Sequence, residues 1–178
     1  MIVDSYDGLD RIVAALEGGD ADTPVPSVIV DLAAQTAAPL ARWVQDSDLL
    51  ALLAEMGVTV NFWHVADAGH DSVDLLGRLL TTYGTGPGYV VLRNHGRGSD
   101  FSQLDKSPAM AKARELGAYC IDLPALHETS MRKIDRHDMS FWAAIHDRSS
   151  PDCLGMLERQ RVRTWLRNTY ASFDALPL

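Results

Sequence analysis

Apolar positions along the chain alternate between short β-rich runs and longer stretches with helical spacing. Runs rich in β-branched and aromatic residues predict strands at 28–32, 58–65, 89–92 and 118–123, with a weaker one at 1–3. In the stretches between them, apolar residues recur every three or four positions, as on one face of a helix. Strands that alternate with helices are typical of a mostly parallel sheet, so we expect a three-layer α/β/α fold.

Start and stop signals bound the helical stretches. Glycines end the segments 7–19 and 71–84, and Ser107 with Pro108 marks the beginning of a further helix. The long segment 38–57 is helical with an expected break near positions 46–48. After residue 123 the pattern predicts two or three helices and no strand, the last helix running from about 151 to 173. We therefore expect one α/β domain over 1–178, with a sheet-forming part (1–124) and C-terminal helices (125–178).

The composition and net charge of the chain exclude some classes of function. The chain has 178 residues, 47% of them hydrophobic and 22% charged, with a net charge of −8 and a pI near 5.1. This acidity excludes a global basic field for nucleic acid or anionic lipid. No apolar run approaches the ~20 residues that span a bilayer, so we expect a cytoplasmic protein with no membrane contact. Cys120 and Cys153 lie outside any metal-ligand spacing, which favours buried thiols in a reducing compartment.

Polar residues follow the predicted strands at the edge where α/β proteins bind ligands. Asp31, Asp67, Asn94 and Pro124 each stand at or just beyond the carboxyl end of a strand. Each residue type is also common in turns, so one of them alone has a simple structural explanation. Four such residues, each after a different predicted strand, favour a binding site.

The order of these segments resembles the ParA/MinD/CobQ group of P-loop ATPases, in particular its TraL-like and MobD-like members. "SVIVDLAAQT" is similar to the strand with the Walker B-type acid, "GYVVLRNHGRGSD" to the strand whose terminal asparagine reads the base, and "AYCIDLPAL" to the last strand with its proline loop. The resemblance spans about residues 25–130. It implies a nucleotide-binding protein of plasmid partition or mobilisation, with Asp31 also as magnesium ligand and with these cofactor-binding residues: Asp31, Gln35, Asp67, Asn94 and Pro124.

The family's glycine-rich phosphate loop with its lysine has no counterpart in this sequence. The chain contains three lysines, Lys106, Lys112 and Lys133, and none follows such a loop. The sequence is therefore expected to be either the C-terminal part of a longer ATPase or a degenerate relative. We expect Mg-ATP binding to be weak or absent and the chain not to be a competent ATPase. The gap left in the sheet favours a homodimer.

A metal-dependent enzyme is one alternative function. His64, Asp67 and His70 recur at intervals of three residues, and imidazole with carboxylate suits zinc or iron. Such spacing gathers ligands on a helix, whereas His64 lies in a predicted strand. A packed strand histidine and an exposed loop histidine are the structural explanation for this group.

A non-catalytic dimeric interaction module is a further alternative. The predicted C-terminal helix places arginines beside an aromatic and apolar face. A helix docked on its own domain, with solvated arginines, explains this pattern most simply. A protein or DNA partner would be contacted through Arg159, Arg163, Trp165 and Arg167.

Overall fold

The computed structural model describes residues 6–16, 27–33, 35–148 and 153–178. The chain divides into two compact units, residues 1–60 and residues 61–178. The single-domain expectation stays a prediction, and the strand expected at 1–3 lies outside the described residues. Within the described ranges, no helix is long and apolar enough to cross a membrane.

Helices make up the regular structure described for the first unit. The indole Nε1–H of Trp43 donates to the Asp10 carboxylate at 2.9 Å and ties the first two helices together. Asp48 adopts a left-handed conformation (φ +44°) and separates the second helix from the third, at the predicted break. Val44, Leu49 and Leu53 of these helices are buried. The helices are α1 (Asp7–Ala14), α2 (Ala37–Asp46) and α3 (Leu49–Glu55).

The prediction of a strand at 28–32 is wrong. Residues 27–33 form neither strand nor helix, and all of them are exposed, Ile29 to 97%. A strand exists only where a neighbour pairs its backbone N–H and C=O groups. Among the described residues, no strand pairs with this segment. High β-propensity therefore did not suffice to make a strand.

The second unit contains a three-stranded, all-parallel sheet. Its strands β1 (Asn61–Ala66), β2 (Gly88–Asn94) and β3 (Tyr119–Leu123) lie in the order β1-β2-β3. Three predicted strands are thus confirmed, although the first begins three residues later than expected. Residues 89–92 of the central strand are all buried, as a continuous apolar run in a parallel sheet requires.

Helices connect the strands and follow the last one. Ser107 caps the helix Pro108–Glu115 (α6) by accepting a hydrogen bond from the Met110 N–H at 3.0 Å, and Pro108 occupies the first helical position, as predicted. Beyond β3 the described residues contain helices and no strand, which confirms the helical C-terminus. The helices of this unit are α4 (His70–Tyr83), α5 (Ser102–Asp105), α6 (Pro108–Glu115), α7 (Glu128–Arg136), α8 (Phe141–His146) and α9 (Met156–Asp174), with a 3₁₀ turn at His95–Arg97.

Helices cover both faces of this sheet. Phe62 of β1 stacks on Tyr83 of α4, with ring centroids 4.4 Å apart, whereas the next residue, Trp63, meets Phe173 of α9 edge-on at 5.1 Å. Successive side chains of a strand point to opposite faces, so α4 and α9 lie on opposite sides. The unit is therefore a three-layer α/β/α structure. The larger core cluster comprises Ala66, Leu76, Leu80, Tyr89, Val91, Phe101, Leu104, Met110 and Ala113.

The C-terminal helices have a core of their own. Leu154 and Val162 are fully buried and pack with Ile134, Ala144 and Ile145 from α7 and α8. Both cysteines are free, and Cys120 is exposed while Cys153 is half-buried. The expectation of buried thiols is therefore wrong for Cys120, which lies on the edge strand β3, where Tyr119 and Asp122 are exposed as well.

Candidate functional site

The carboxyl edge of the sheet carries three of the four strand-end residues predicted from the sequence. Asp67 follows β1, Asn94 ends β2 and Pro124 follows β3. Because the strands are parallel and adjacent, all three residues lie at one edge; Asn94 is in register with Leu123, the neighbour of Pro124. Whether these residues bind a cofactor stays a prediction.

Asp67 is first of all a turn residue. Its Oδ1 accepts the Gly69 N–H at 2.9 Å, and its own N–H donates to the Ser72 hydroxyl at 3.0 Å. These contacts with Gly69 and Ser72, together with the charge of Arg97, hold the pKa of Asp67 below its usual value. The carboxylate is therefore ionised at neutral pH and exposed to solvent at the edge.

Asn94 likewise turns the chain at the end of the central strand. Its Oδ1 accepts the Gly96 N–H at 3.0 Å and so begins the 3₁₀ turn. A side-chain amide has two acceptor lone pairs and two N–H donors. Within the described part of the chain, no hydrogen bond occupies Nδ2. Asn94 thus retains donors and one lone pair for a ligand.

Gly98 holds the loops after β1 and β2 in direct contact. Its φ is +149°, and a Cβ built at this position would overlap the side chain of Ala68. Only glycine lets the two backbones approach this closely. The contact brings the Asp67 turn next to the loop that carries Asn94 and Arg97.

A network of charges crosses the sheet at the same edge. Arg93 donates to both carboxylate oxygens of Asp122, from Nε at 2.9 Å and from Nη2 at 2.8 Å, while its Nη1 lies 3.1 and 3.2 Å from the oxygens of Asp105. His95 Nε2 lies 2.7 Å from Asp122 Oδ1, and its ring meets Phe101 edge-on. This network links β2, β3, α5 and the 3₁₀ turn.

The ionisation of Asp122 depends on its partners. Partial burial raises the pKa of its carboxyl, but the hydrogen bonds and charges of Arg93 and His95 outweigh burial and hold the pKa below its usual value. Two carboxylates share one guanidinium, so Arg93 has little positive charge to offer an anionic ligand.

Pro124 is fixed by the C-terminal helix. The indole Nε1–H of Trp165 in α9 donates to the Pro124 carbonyl at 2.6 Å, and the same ring packs against Phe141 with centroids 5.0 Å apart. The loop after β3 is therefore held beside the end of β2 by a residue 41 positions away.

Asp31 and Gln35 belong to the first unit (residues 1–60). Asp67, Asn94 and Pro124 belong to the second. Asp31 is exposed and lines a shallow groove of about 340 Å³ together with Leu9, Thr36 and Leu40. Gln35 has a left-handed backbone (φ +69°) and precedes α2. Their nucleotide and magnesium roles stay predictions.

The histidine and aspartate group does not form a metal centre. His64 Nε2 donates to the Ser72 carbonyl at 2.9 Å, and burial lowers the pKa of this imidazole, which is neutral as a result. His70 lies at the start of α4, exposed, with Nδ1 3.4 Å from Asp74. Across the described ranges, no group of three or more His, Cys, Asp or Glu side chains is placed to hold a metal ion.

The C-terminal helix uses its aromatic face within its own unit. Trp165 and Phe173 make the intramolecular contacts given above and are only partly exposed. A partner contact through Trp165 stays a prediction. Arg159 donates to the Leu154 carbonyl at 2.6 Å. Arg163, which reaches Gln160 at 3.0 Å, and Arg167 remain exposed on the outer face.

The fold and this edge define a parallel α/β protein with a polar, charged carboxyl edge. No family model matches the chain, and no curated protein or solved structure shows significant similarity to it.

The network around Asp122 was not predicted from the sequence. The useful signal was an acid within the apolar run of β3, opposite an arginine near the end of β2; these two residues pair in register. A charge within an otherwise apolar strand indicates a partner on the neighbouring strand.

Proposed function

We propose that the carboxyl edge of the 61–178 unit is a purine-base subsite in a nucleotide-binding protein related to the ParA/MinD group. The juxtaposition of Asn94 with the Pro124 loop on adjacent strands supports this most directly. The resemblance assigns base recognition to these two positions. An asparagine amide suits a purine edge, since it offers a donor and an acceptor together.

The same edge is poorly equipped for phosphates. Arg93 is neutralised by Asp105 and Asp122, and Arg97 lies near the ionised Asp67. The chain also has no glycine-rich loop with a following lysine. Recognition therefore rests on the base, and the proposed role is that of an accessory or ATPase-derived factor in partition or mobilisation rather than of a catalyst.

Nucleosides will bind this edge about as well as nucleoside triphosphates. We expect adenosine or guanosine to shift the side-chain amide resonance of Asn94 in NMR titrations, with dissociation constants of about 100 µM or weaker, roughly 5 kcal/mol. Calorimetry with Mg-ATP and Mg-GTP should give no tighter binding. A low-micromolar dissociation constant for either nucleotide would show that the protein does bind the phosphates.

Asn94→Asp separates ligand recognition from loop structure. The aspartate keeps an oxygen for the Gly96 N–H and removes the Nδ2 donor. Base binding should be lost while thermal stability stays near that of the wild type. Asn168→Asp, an exposed change on α9, is the matched control. If Asn94→Asp binds as the wild type does, the base subsite is in the wrong place.

A nucleic-acid contact through α9 is a second candidate function. Arg163, Arg167 and Tyr170 are exposed on its outer face, and no salt bridge occupies either guanidinium in the described structure. This is a local basic strip on an acidic protein, with an aromatic ring beside it.

Removing two of these charges will weaken DNA binding measurably. Arg163→Gln combined with Arg167→Gln should lower the slope of log affinity against log salt by about two for duplex DNA, because each guanidinium displaces about one counterion. Fluorescence anisotropy at several salt concentrations measures this slope. Arg78→Gln, an exposed change on α4, should leave it unchanged; equal losses in both proteins would argue against a defined surface.

A further inference from the structure

The apolar segment 28–32 is exposed without a strand neighbour among the described residues. Val28, Val30 and Leu32 are about 40% exposed, and Ile29 is almost fully so. Monomeric proteins rarely present a continuous run of this kind to water. The segment forms neither helix nor strand, is rich in β-branched residues and contains no proline. Its composition is that of a strand that lacks a partner.

The open edge of the parallel sheet is of matching length and chemistry. The edge strand β1, "NFWHVA", has six residues and pairs only with β2 in the described structure. Proteins usually protect such an edge with charged side chains or proline. This strand contains neither, and Trp63 and Val65 on one of its faces are 39% and 55% exposed.

We propose that segment 28–32 of one copy adds to the β1 edge of a second copy, and that the exchange is reciprocal. Each chain presents both an unpaired strand-forming segment and an unprotected sheet edge, so a two-fold axis satisfies both at once. Val28, Val30 and Leu32 lie on one face of the added strand, and they extend the apolar face of Trp63 and Val65. A second copy is favoured as occupant because it supplies both the segment and the edge. No charge opposes this pairing, since Asp31 is the one charged residue among the two segments.

The pairing is tested by oligomeric state and amide exchange on the full chain. Sedimentation at micromolar concentration should give twice the 19.5 kDa of one chain, and the amides of 28–32 should exchange slowly. Ile29→Lys with Val30→Lys puts a charge on each face of the segment and should raise the dimer dissociation constant at least about tenfold. Both side chains are exposed, so one copy will fold normally. Val65→Lys should have the same effect from the other side.

The control changes two adjacent exposed apolar residues elsewhere. Met156→Lys with Leu157→Lys, at 74% and 65% exposure on α9, should leave the dimer intact. Two results overturn the proposal. They are a wild-type chain that sediments as one copy and a dimer insensitive to the 29/30 change. If the single copy also shows slow exchange at 28–32, the segment pairs within one chain.

Discussion

Gly98→Ala will destabilise the 61–178 unit by about 3 kcal/mol, because two costs coincide at this residue. The new Cβ overlaps the Ala68 side chain, and the φ of +149° is one that residues with a Cβ rarely adopt. Relief requires the loop after β2 to move away from the loop after β1. Urea denaturation monitored by circular dichroism measures the loss.

Two companion variants separate the steric cost from the backbone cost. Gly117→Ala is also at positive φ (+77°), but nothing lies within 4 Å of its added Cβ, so it should cost only about 1 kcal/mol. Ala68→Gly removes the overlapping methyl group and should recover about half of the Gly98→Ala loss in the double variant. If Gly98→Ala loses no more stability than Gly117→Ala, the loops after β1 and β2 are not in contact.

The Gly98 substitution also connects stability to the site. The loop it displaces carries Asn94 at its start and Arg97 next to Asp67. Nucleoside binding should therefore weaken together with stability, and Ala68→Gly should restore both. Recovery of stability without recovery of binding would place the base elsewhere on the unit.

Local signals predicted most of the fold because their causes are local. The Ser107 cap, Pro108 at the helix start and the break at Asp48 depend on hydrogen bonds and dihedral angles within a few residues. Strand β2 was recognisable because a buried parallel strand reads as an apolar run. The segment 28–32 reads the same way, yet pairing is a long-range event, and propensity does not specify the partner.

The sequence predicted which residues lie at the carboxyl edge of the sheet, but not which contacts they make there. Parallel topology alone brings Asp67, Asn94 and Pro124 to one edge, so their positions followed from the order of the elements. Their contacts depend on register and on distant residues: Arg93 meets Asp122 across 29 positions, and Trp165 holds Pro124 across 41. Spacing along the sequence contains no such information.

Arg93→Met will cost the folded unit about 2 kcal/mol at neutral pH, the second large effect expected here. The methionine keeps an unbranched apolar stem, so the change chiefly removes the guanidinium from between Asp105 and Asp122. Two partly exposed carboxylates are then left close together without their shared counter-charge. Their solvent exposure, 34% and 49%, keeps the loss below that of a fully buried pair.

The loss should depend on pH in a defined direction. The pKa of Asp122 in the folded protein is lower than the 3.8 of an unperturbed aspartate, so its ion pair stabilises the fold above about pH 4. As pH falls through the folded-state pKa, the carboxylate takes up a proton and this contribution disappears. The stability difference between wild type and Arg93→Met is therefore largest at pH 7 and shrinks toward pH 3.

Urea denaturation of both proteins at pH 7 and at pH 3 tests the charge explanation. Arg78→Met, an exposed change on α4, should stay within about 0.5 kcal/mol of wild type at either pH. Asp122→Asn should remove most of the effect of Arg93→Met when the two are combined, since the main partner of the guanidinium is then uncharged. An Arg93→Met loss that is equal at both pH values would mean that Arg93 acts through packing of its stem, and the charge network would have no part in holding β2 to β3.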